Sequence, residues 1–144
     1  MIVLSSNVFG VGLSIDEYAG VALDWAKIHI TKTGIYHCPC LNAEIHISNN
    51  GIRHTISQKK YDQQGNYNHE TISVINILIP LLTNAELRYS APDKYGSDNV
   101  KCIKFLKSKV LIDGKPKEVE LLVKEIYIDL ETTKFVFYNH IFII

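Results

Sequence analysis

The sequence has no excess of charge of either sign. Its 144 residues include 15 basic and 15 acidic side chains, so the formal net charge is zero. A neutral protein has no overall field that would draw it toward nucleic acid or an anionic membrane. Any contact with nucleic acid must therefore depend on a local group of side chains.

Long hydrophobic runs are also missing. The apolar stretches are too short to span a bilayer. The first segment, MIVLSSNVFGVGLS, has no basic residue ahead of its apolar residues, which argues against a secretory signal. We therefore expect a soluble protein that makes no membrane contact.

Cysteine is scarce, and the count is odd. Cys38 and Cys40 are too close in sequence to form an easy mutual bridge, so reduced thiols are the simpler interpretation for these two and Cys102. His37 beside this pair suggests zinc, but structural zinc sites favour about two to four residues between paired cysteines. No second pair follows. We expect no metal site, and a loop that holds small buried thiols.

Helical signals dominate the first part of the chain. Ser14 and Glu17 fit a capping box, and the apolar stripe after them predicts a helix over about 15–29. Asn49 or Asn50 can cap a second helix that runs to about residue 60. Apolar residues predict a third over about 70–84, which Pro80 should kink or bring to its last turn. Extended segments at 34–37 and 43–48 predict a short hairpin or two separate strands.

The second part has the pattern of strands. Asp113-Gly114 is a strong hairpin signal between two long alternating segments, and ELRYS and TKFVFYNHIFII predict two further strands. We predict an α+β fold in which N-terminal helices pack on one face of a C-terminal antiparallel sheet of about four strands. An apolar fraction of 47% supports one domain over 1–144, with an arm at 1–13, a mainly helical part at 14–86 and the sheet at 87–144.

The second predicted helix carries one candidate site. Its polar side presents Arg53, His54, Ser57 and Lys60. Arginine and lysine bind phosphate oxygens, histidine exchanges a proton near neutral pH, and a helix N-terminus favours anions. The alternative is an ordinary solvated helix face.

The last predicted strand carries a second candidate site. A period of two residues places Tyr138 and His140 on one face. Lys124, in a central strand, is either a phosphate contact or a residue that favours solubility at an edge. The alternative is that His140 makes a structural hydrogen bond while Tyr138 packs beneath the helices. His29, His37, His46 and His69 have weaker claims.

These residue types are suited to cleaving RNA without a metal ion or other cofactor. One group removes the proton of the ribose 2′-hydroxyl, another protonates the departing 5′-oxygen, and a cation stabilises the charge on phosphate. No glycine-rich phosphate loop, metalloprotease helix or nucleophile elbow is present in the sequence. Kinase, zinc-protease and serine-hydrolase functions are therefore disfavoured.

The order of the segments resembles a known domain family. ALDWAKIHITKTGIY, EIHISNNGIRHTIS, INILIPLLTNAEL, SAPDKYGSDN and FVFYNH occur in turn. Over roughly residues 20–142 they resemble the third large polyvalent protein-associated domain of phages and mobile elements, which is similar to the Barnase-EndoU-colicin-RelE class of nucleases. The resemblance implies a nuclease-like fold. It matches Gly51, Arg53, His54 and Ser57 in one motif and Tyr138 and His140 in another.

Two functions follow as expectations. The first is a metal-independent ribonuclease-like toxin or effector in bacterial conflict, with His54, His140 and Tyr138 as catalytic residues and Arg53, Ser57, Lys60 and Lys124 binding RNA, of which tRNA is one candidate. It would act in the bacterial cytoplasm after delivery by a phage or a secretion system, and a cognate immunity protein would be its partner. The alternative is a non-catalytic module that binds a host defence protein. A structural phage component, suggested by the apolar HIFII end, is a third.

Overall fold

The computed structural model describes residues 2–59, 68–93, 96–97 and 99–143. Among these residues the elements, in chain order, are β1 (Val3–Leu4), α1 (Ile15–His29), β2 (Ile35–Cys38), β3 (Ala43–His46), α2 (Asn49–Lys59), α3 (His69–Ser73), α4 (Leu78–Thr83), β4 (Glu86–Ala91), β5 (Val100–Ile112), β6 (Lys115–Tyr127) and β7 (Thr133–Ile143). Short 3₁₀ segments, Pro39–Leu41 and Val74–Ile77, join β2 to β3 and α3 to α4. None of the helices in the described ranges is long and apolar enough to cross a membrane.

The first helix has the predicted bounds and the predicted cap. Ser14 Oγ accepts a hydrogen bond from the backbone N–H of Glu17, and the Glu17 carboxylate accepts one from the backbone N–H of Ser14. This reciprocal pair satisfies two donors that a helix start leaves free. Hydrogen bonding to the Ser14 backbone N–H, and then to the Ser14 side chain, holds the pKa of the Glu17 carboxyl below its ordinary value.

The third predicted helix is divided. It begins at His69, close to the predicted start at about residue 70. It becomes a 3₁₀ segment over Val74–Ile77 before α4 starts. Pro80 has no backbone N–H to donate, and its ring conflicts with the carbonyl of Asn76 in a continuous α-helix. The tighter 3₁₀ turn avoids that conflict.

The long hairpin forms at the predicted turn. Asp113 and Gly114 both have positive φ, 50° and 79°, as the two central residues of a tight hairpin require. The turn sets β5 against β6 in register from Ile112↔Lys115 to Cys102↔Glu125. A hydrogen bond from the Ser6 backbone N–H to Asp113 Oδ1 ties the N-terminal segment to this turn.

The predicted four-stranded antiparallel sheet is wrong. The sheet has seven strands, is mixed and curled, and follows the order β1-β5-β6-β7-β3-β2, with β4 also paired to β5. Two of its ladders are parallel: Val3 pairs with Leu111, and Ile45 pairs with Phe135. The long strands β5 and β7 have backbone donors and acceptors along both sides; besides β6, β5 pairs with β1 and β4, and β7 pairs with β3. The predicted arm and short hairpin are thus parts of the sheet.

Alternation along the strands gives the sheet two different sides. Leu106, Leu121 and Phe137 lie on one side and are buried in a single cluster with the apolar faces of the helices. Phe105, Leu122 and Lys124 alternate with these positions and lie on the opposite side, where they are partly exposed. We call this second side the open face. It positions the residues that are considered below.

Candidate functional site

His140 lies on the helix side of the sheet and is sealed there. Its side chain is 1% exposed. Its Nε2 is 2.8 Å from the carbonyl oxygen of Thr71 in α3, and its Nδ1 is 3.2 Å from Thr55 Oγ1 in α2. A carbonyl oxygen can only accept, so Nε2 carries a hydrogen. The ring joins three elements by hydrogen bonds, which is a structural role.

The residues predicted on α2 point to solvent. Arg53, His54 and Ser57 are exposed, whereas Ile52, Thr55 and Ile56 are buried against the sheet. The helix body therefore stands between the His54 ring and the His140 ring, and the structure does not bring these two together. Ser57 Oγ donates to the carbonyl of Arg53 within the helix, over 3.0 Å. Lys60, the fourth residue predicted here, lies outside the described residues.

A β-bulge places Tyr138 on the other side of the sheet from His140. The pairing of β6 with β7 shifts between Leu122↔Asn139 and Val123↔Phe137, so Tyr138 is an extra residue in the ladder. The Lys124 ammonium lies 4.4 Å from the centroid of the Tyr138 ring. Since Lys124 is on the open face, Tyr138 is there too. The structure brings Tyr138 and Lys124 together and separates both from His140.

His46 stands in the same row of the open face. It pairs with Val136, and Val136 pairs with Lys124, so the three side chains point to one side. Two strand spacings separate the main chains at His46 and Lys124, which is about 10 Å. Val136 lies between them, with the partly exposed imidazole of His46 on one side and the Lys124-Tyr138 pair on the other.

An aromatic pair lies farther along the open face, on β4 and β5. The rings of Tyr89 and Phe105 are stacked, with centroids 4.4 Å apart and planes inclined by 14°. The neighbouring Arg88 is the extra residue of a second bulge, and its guanidinium lies 5.5 Å from the centre of the Tyr89 ring. Arg88 also forms an ion pair with Glu120 of β6, a carboxylate that is largely buried.

The cations of the open face differ in whether a carboxylate neutralises them. Arg88 is paired with Glu120, and Lys107 lies 4.0 Å from Glu86. Lys124, by contrast, has no ion pair with a carboxylate among the described residues, and its ammonium rests on an aromatic ring. A cation over a ring keeps its full charge, so Lys124 is able to receive an anion.

The thiols form a separate cluster at the end of β2. The sulfur atoms of Cys38 and Cys40 are 3.5 Å apart, and both cysteines are free thiols. Burial, together with the hydrogen bond and the charge of Cys38, raises the pKa of the Cys40 thiol to about 12. Within the described ranges, no group of three or more His, Cys, Asp or Glu side chains could hold a metal ion. The absence of a metal or cofactor from the function remains a prediction.

Several residues of the open face have only weak signals of function in the sequence. In AEIHIS, His46 follows Ile45 along a strand, so the two side chains point to opposite faces of the sheet. Since Ile45 is buried in the core, His46 faces away from the core. Its neighbours could not be predicted, because they depend on the parallel pairing of β3 with β7. The residues that were not selected at all are Arg88, Tyr89, Phe105 and Glu120.

Comparison with known proteins gives one positive result. The sequence model described as large polyvalent protein-associated domain 3 matches residues 14–130. This range includes His46, Tyr89, Phe105 and Lys124 and ends before Tyr138. No curated protein and no solved structure matches the chain.

Proposed function

We propose that this chain, which belongs to the large polyvalent protein-associated domain 3 family of phage and mobile-element proteins, binds RNA on the open face and cleaves it without a metal ion. The observation that carries the proposal is the contact of Lys124 with Tyr138 in a row that also contains His46. A cation that has no carboxylate partner among the described residues, a phenol and an imidazole are the groups that this reaction needs.

Each group has a definite task in the proposed reaction. His46 removes the proton of a ribose 2′-hydroxyl, whose oxygen then attacks the adjacent phosphorus. The bond from phosphorus to the 5′-oxygen breaks, and Tyr138 donates its phenolic proton to that oxygen. The Lys124 ammonium stabilises the negative charge on the phosphate oxygens. The products are a 2′,3′-cyclic phosphate and a strand with a free 5′-hydroxyl.

His54 and His140 are not part of the proposed site. A ring that is 1% exposed and hydrogen bonded at both nitrogens has no path to a substrate. His54 is exposed but lies on the outer side of α2, across the helix from the sheet. Of the residues predicted from the sequence, Tyr138 and Lys124 remain in the proposed site.

Cleavage of end-labelled RNA by the purified protein in excess chelator tests the proposal. We expect cleavage at positions that carry a 2′-hydroxyl and none where the nucleotide is 2′-deoxy. Replacing the base or the acid should slow the reaction by about 10²- to 10⁴-fold, so His46→Ala and Tyr138→Phe are the informative variants. His54→Ala is the matched control and should retain full activity. Intact RNA at high protein concentration, or equal loss in His54→Ala, would reject the proposal.

A second candidate function is a non-catalytic module that binds a host protein. The observation that favours it is the charge compensation on the open face, where Arg88 and Lys107 each have a carboxylate partner. Exposed aromatic side chains beside an ion-paired arginine are typical of protein interfaces. If this candidate is correct, RNA stays intact, and Tyr89→Ala abolishes the biological effect while His46→Ala preserves it.

A further inference from the structure

The Tyr89 ring of the aromatic pair is partly exposed to solvent. Tyr89 is 45% exposed, and its strand β4 pairs only with β5 among the described residues. One side of the ring is stacked on Phe105, which fixes its orientation. An exposed ring with a guanidinium over it is suited to stacking against a flat ligand, because aromatic rings and guanidinium planes both stack on the π-faces of nucleic acid bases.

The aromatic pair lies within reach of Lys124. Phe105 pairs with Leu122, and Lys124 is two residues farther along the same strand. Phe105 and Lys124 are therefore diagonal neighbours, about 7–8 Å apart. A base stacked on the rings and a phosphate on the ammonium can belong to one short stretch of a strand.

Electrostatic attraction contributes little at this surface. The Arg88 and Lys107 charges are already compensated by Glu120 and Glu86, and the protein has no net charge. Release of counterions from phosphates, which dominates most binding to nucleic acids, is then limited to a few contacts. Most of the affinity must come from stacking, which requires bases that are not already stacked in a duplex.

We infer that Tyr89 and Phe105 form a base-stacking platform that restricts the ligand of the open face to single-stranded nucleic acid, with Lys124 holding a neighbouring phosphate. This inference rests on the proposed function, and it adds a determinant of specificity that the reaction itself does not require. The geometry favours a strand in an extended form, lying across β4, β5 and β6.

Fluorescence anisotropy with the full chain tests the inference. The probes are a labelled single-stranded RNA, 2′-O-methylated so that it is not cleaved, and the same strand annealed to its complement. We expect the single strand to bind at least about tenfold more tightly than the duplex, and Tyr89→Ala to weaken single-strand binding by about tenfold. Tyr89→Phe, which keeps the ring, should bind normally. Leu130→Ala removes an exposed side chain from the β6–β7 turn and is the matched control.

Each outcome has a distinct meaning. Equal affinity for single strand and duplex, or unchanged binding by a Tyr89→Ala variant that unfolds at the same temperature as the wild type, overturns the stacking platform and leaves RNA binding intact. Failure of the wild type to bind any RNA at low salt overturns both the platform and the proposed function. A loss of binding in Tyr89→Phe as large as in Tyr89→Ala also counts against stacking, because the ring is still present.

Discussion

At the scale of single residues, burial decides what a histidine can do. Histidine is a common catalytic residue, but the two ring nitrogens of His140 contact Thr71 and Thr55 inside the protein. His46 has the same chemistry on a partly exposed strand and can meet a ligand. The difference between them follows from the side of the sheet on which each lies.

Replacing His140 should therefore affect stability. His140→Ala leaves Thr71 O without its donor and opens a cavity under α2, so we expect the free energy of unfolding to fall by about 3 kcal/mol. Urea unfolding followed by circular dichroism measures this change. His54→Ala is the control and should change the free energy of unfolding by less than about 0.5 kcal/mol. Equal effects of the two substitutions would contradict the buried, structural role of His140.

Glu125 provides a pH-dependent contribution to stability. Burial alone would raise the pKa of this carboxyl, but hydrogen bonds from Thr133 and Cys102 and the charges of two nearby lysines hold the pKa below its ordinary value. A lowered pKa in the folded state stabilises the fold above the pKa of the unfolded chain, and the contribution is lost as pH falls through the folded-state pKa.

Thr133→Val tests this contribution. The substitution removes the 2.7 Å hydrogen bond to Glu125, so the free energy of unfolding at pH 7 should fall by about 1 kcal/mol. The deficit should shrink as the pH falls through the folded-state pKa of Glu125, below which the carboxyl is protonated in both states. Thermal unfolding across this pH range measures the difference between variant and wild type. A deficit that stays constant with pH would show that the charge of Glu125 is not involved.

At the scale of elements, the approach of α2 to β7 sets the position of the helix. A Cβ placed on Gly51 would lie 3.1 Å from the carbonyl oxygen of Phe137, closer than an ordinary contact. The start of α2 therefore fits against β7 only because residue 51 has no side chain.

Gly51→Ala and Gly20→Ala should have opposite effects on stability. At Gly51 the new methyl group meets backbone that cannot easily move, so we expect a loss of about 1–2 kcal/mol. At Gly20, inside α1, nothing lies within 4 Å of an added Cβ, so alanine should stabilise the protein by about 0.5–1 kcal/mol. Chemical denaturation of both variants gives the comparison. Stabilisation by Gly51→Ala would mean that α2 and β7 are not in close contact.

Local signals in the sequence predicted the elements well, because local interactions determine them. The capping box at Ser14 and the positive φ values at Asp113 and Gly114 are encoded within a few residues. The pairing of β3 with β7 and of β1 with β5 depends on which strand edges are free in the folded chain, and no local pattern carries that information. The number of strands predicted from the sequence is therefore too small.

The candidate site was predicted in part, for the same reason. Lys124 and Tyr138 could be selected by residue type and strand position, and the structure places them together. Tyr138 and His140 do not share a face, because the bulge at Tyr138 interrupts the period of two. FVFYNH contains no glycine that would indicate this bulge. His46 became a candidate only through the position of β3 in the sheet.

At the scale of the whole molecule, the balance of charge limits how RNA can bind. In the part of the chain that the structure describes, only a few cations on the open face lack a carboxylate partner, so we expect the logarithm of the binding constant to fall with the logarithm of salt concentration with a slope of about −1 to −2. Replacing Lys124 with glutamine should reduce the magnitude of that slope by about one. Anisotropy titrations at several salt concentrations measure it. A steep slope would place the RNA on another, more basic surface.

The central claim is that the open face, rather than the exposed side of α2, meets RNA. The most direct test is a titration of isotope-labelled protein with a short 2′-O-methylated single strand, followed by nuclear magnetic resonance. The account predicts that the shifted signals belong to His46, Tyr89, Phe105, Lys124 and Tyr138, while those of Arg53, His54 and Ser57 stay in place. Shifts confined to those three α2 residues, or no shifts at all, would contradict it.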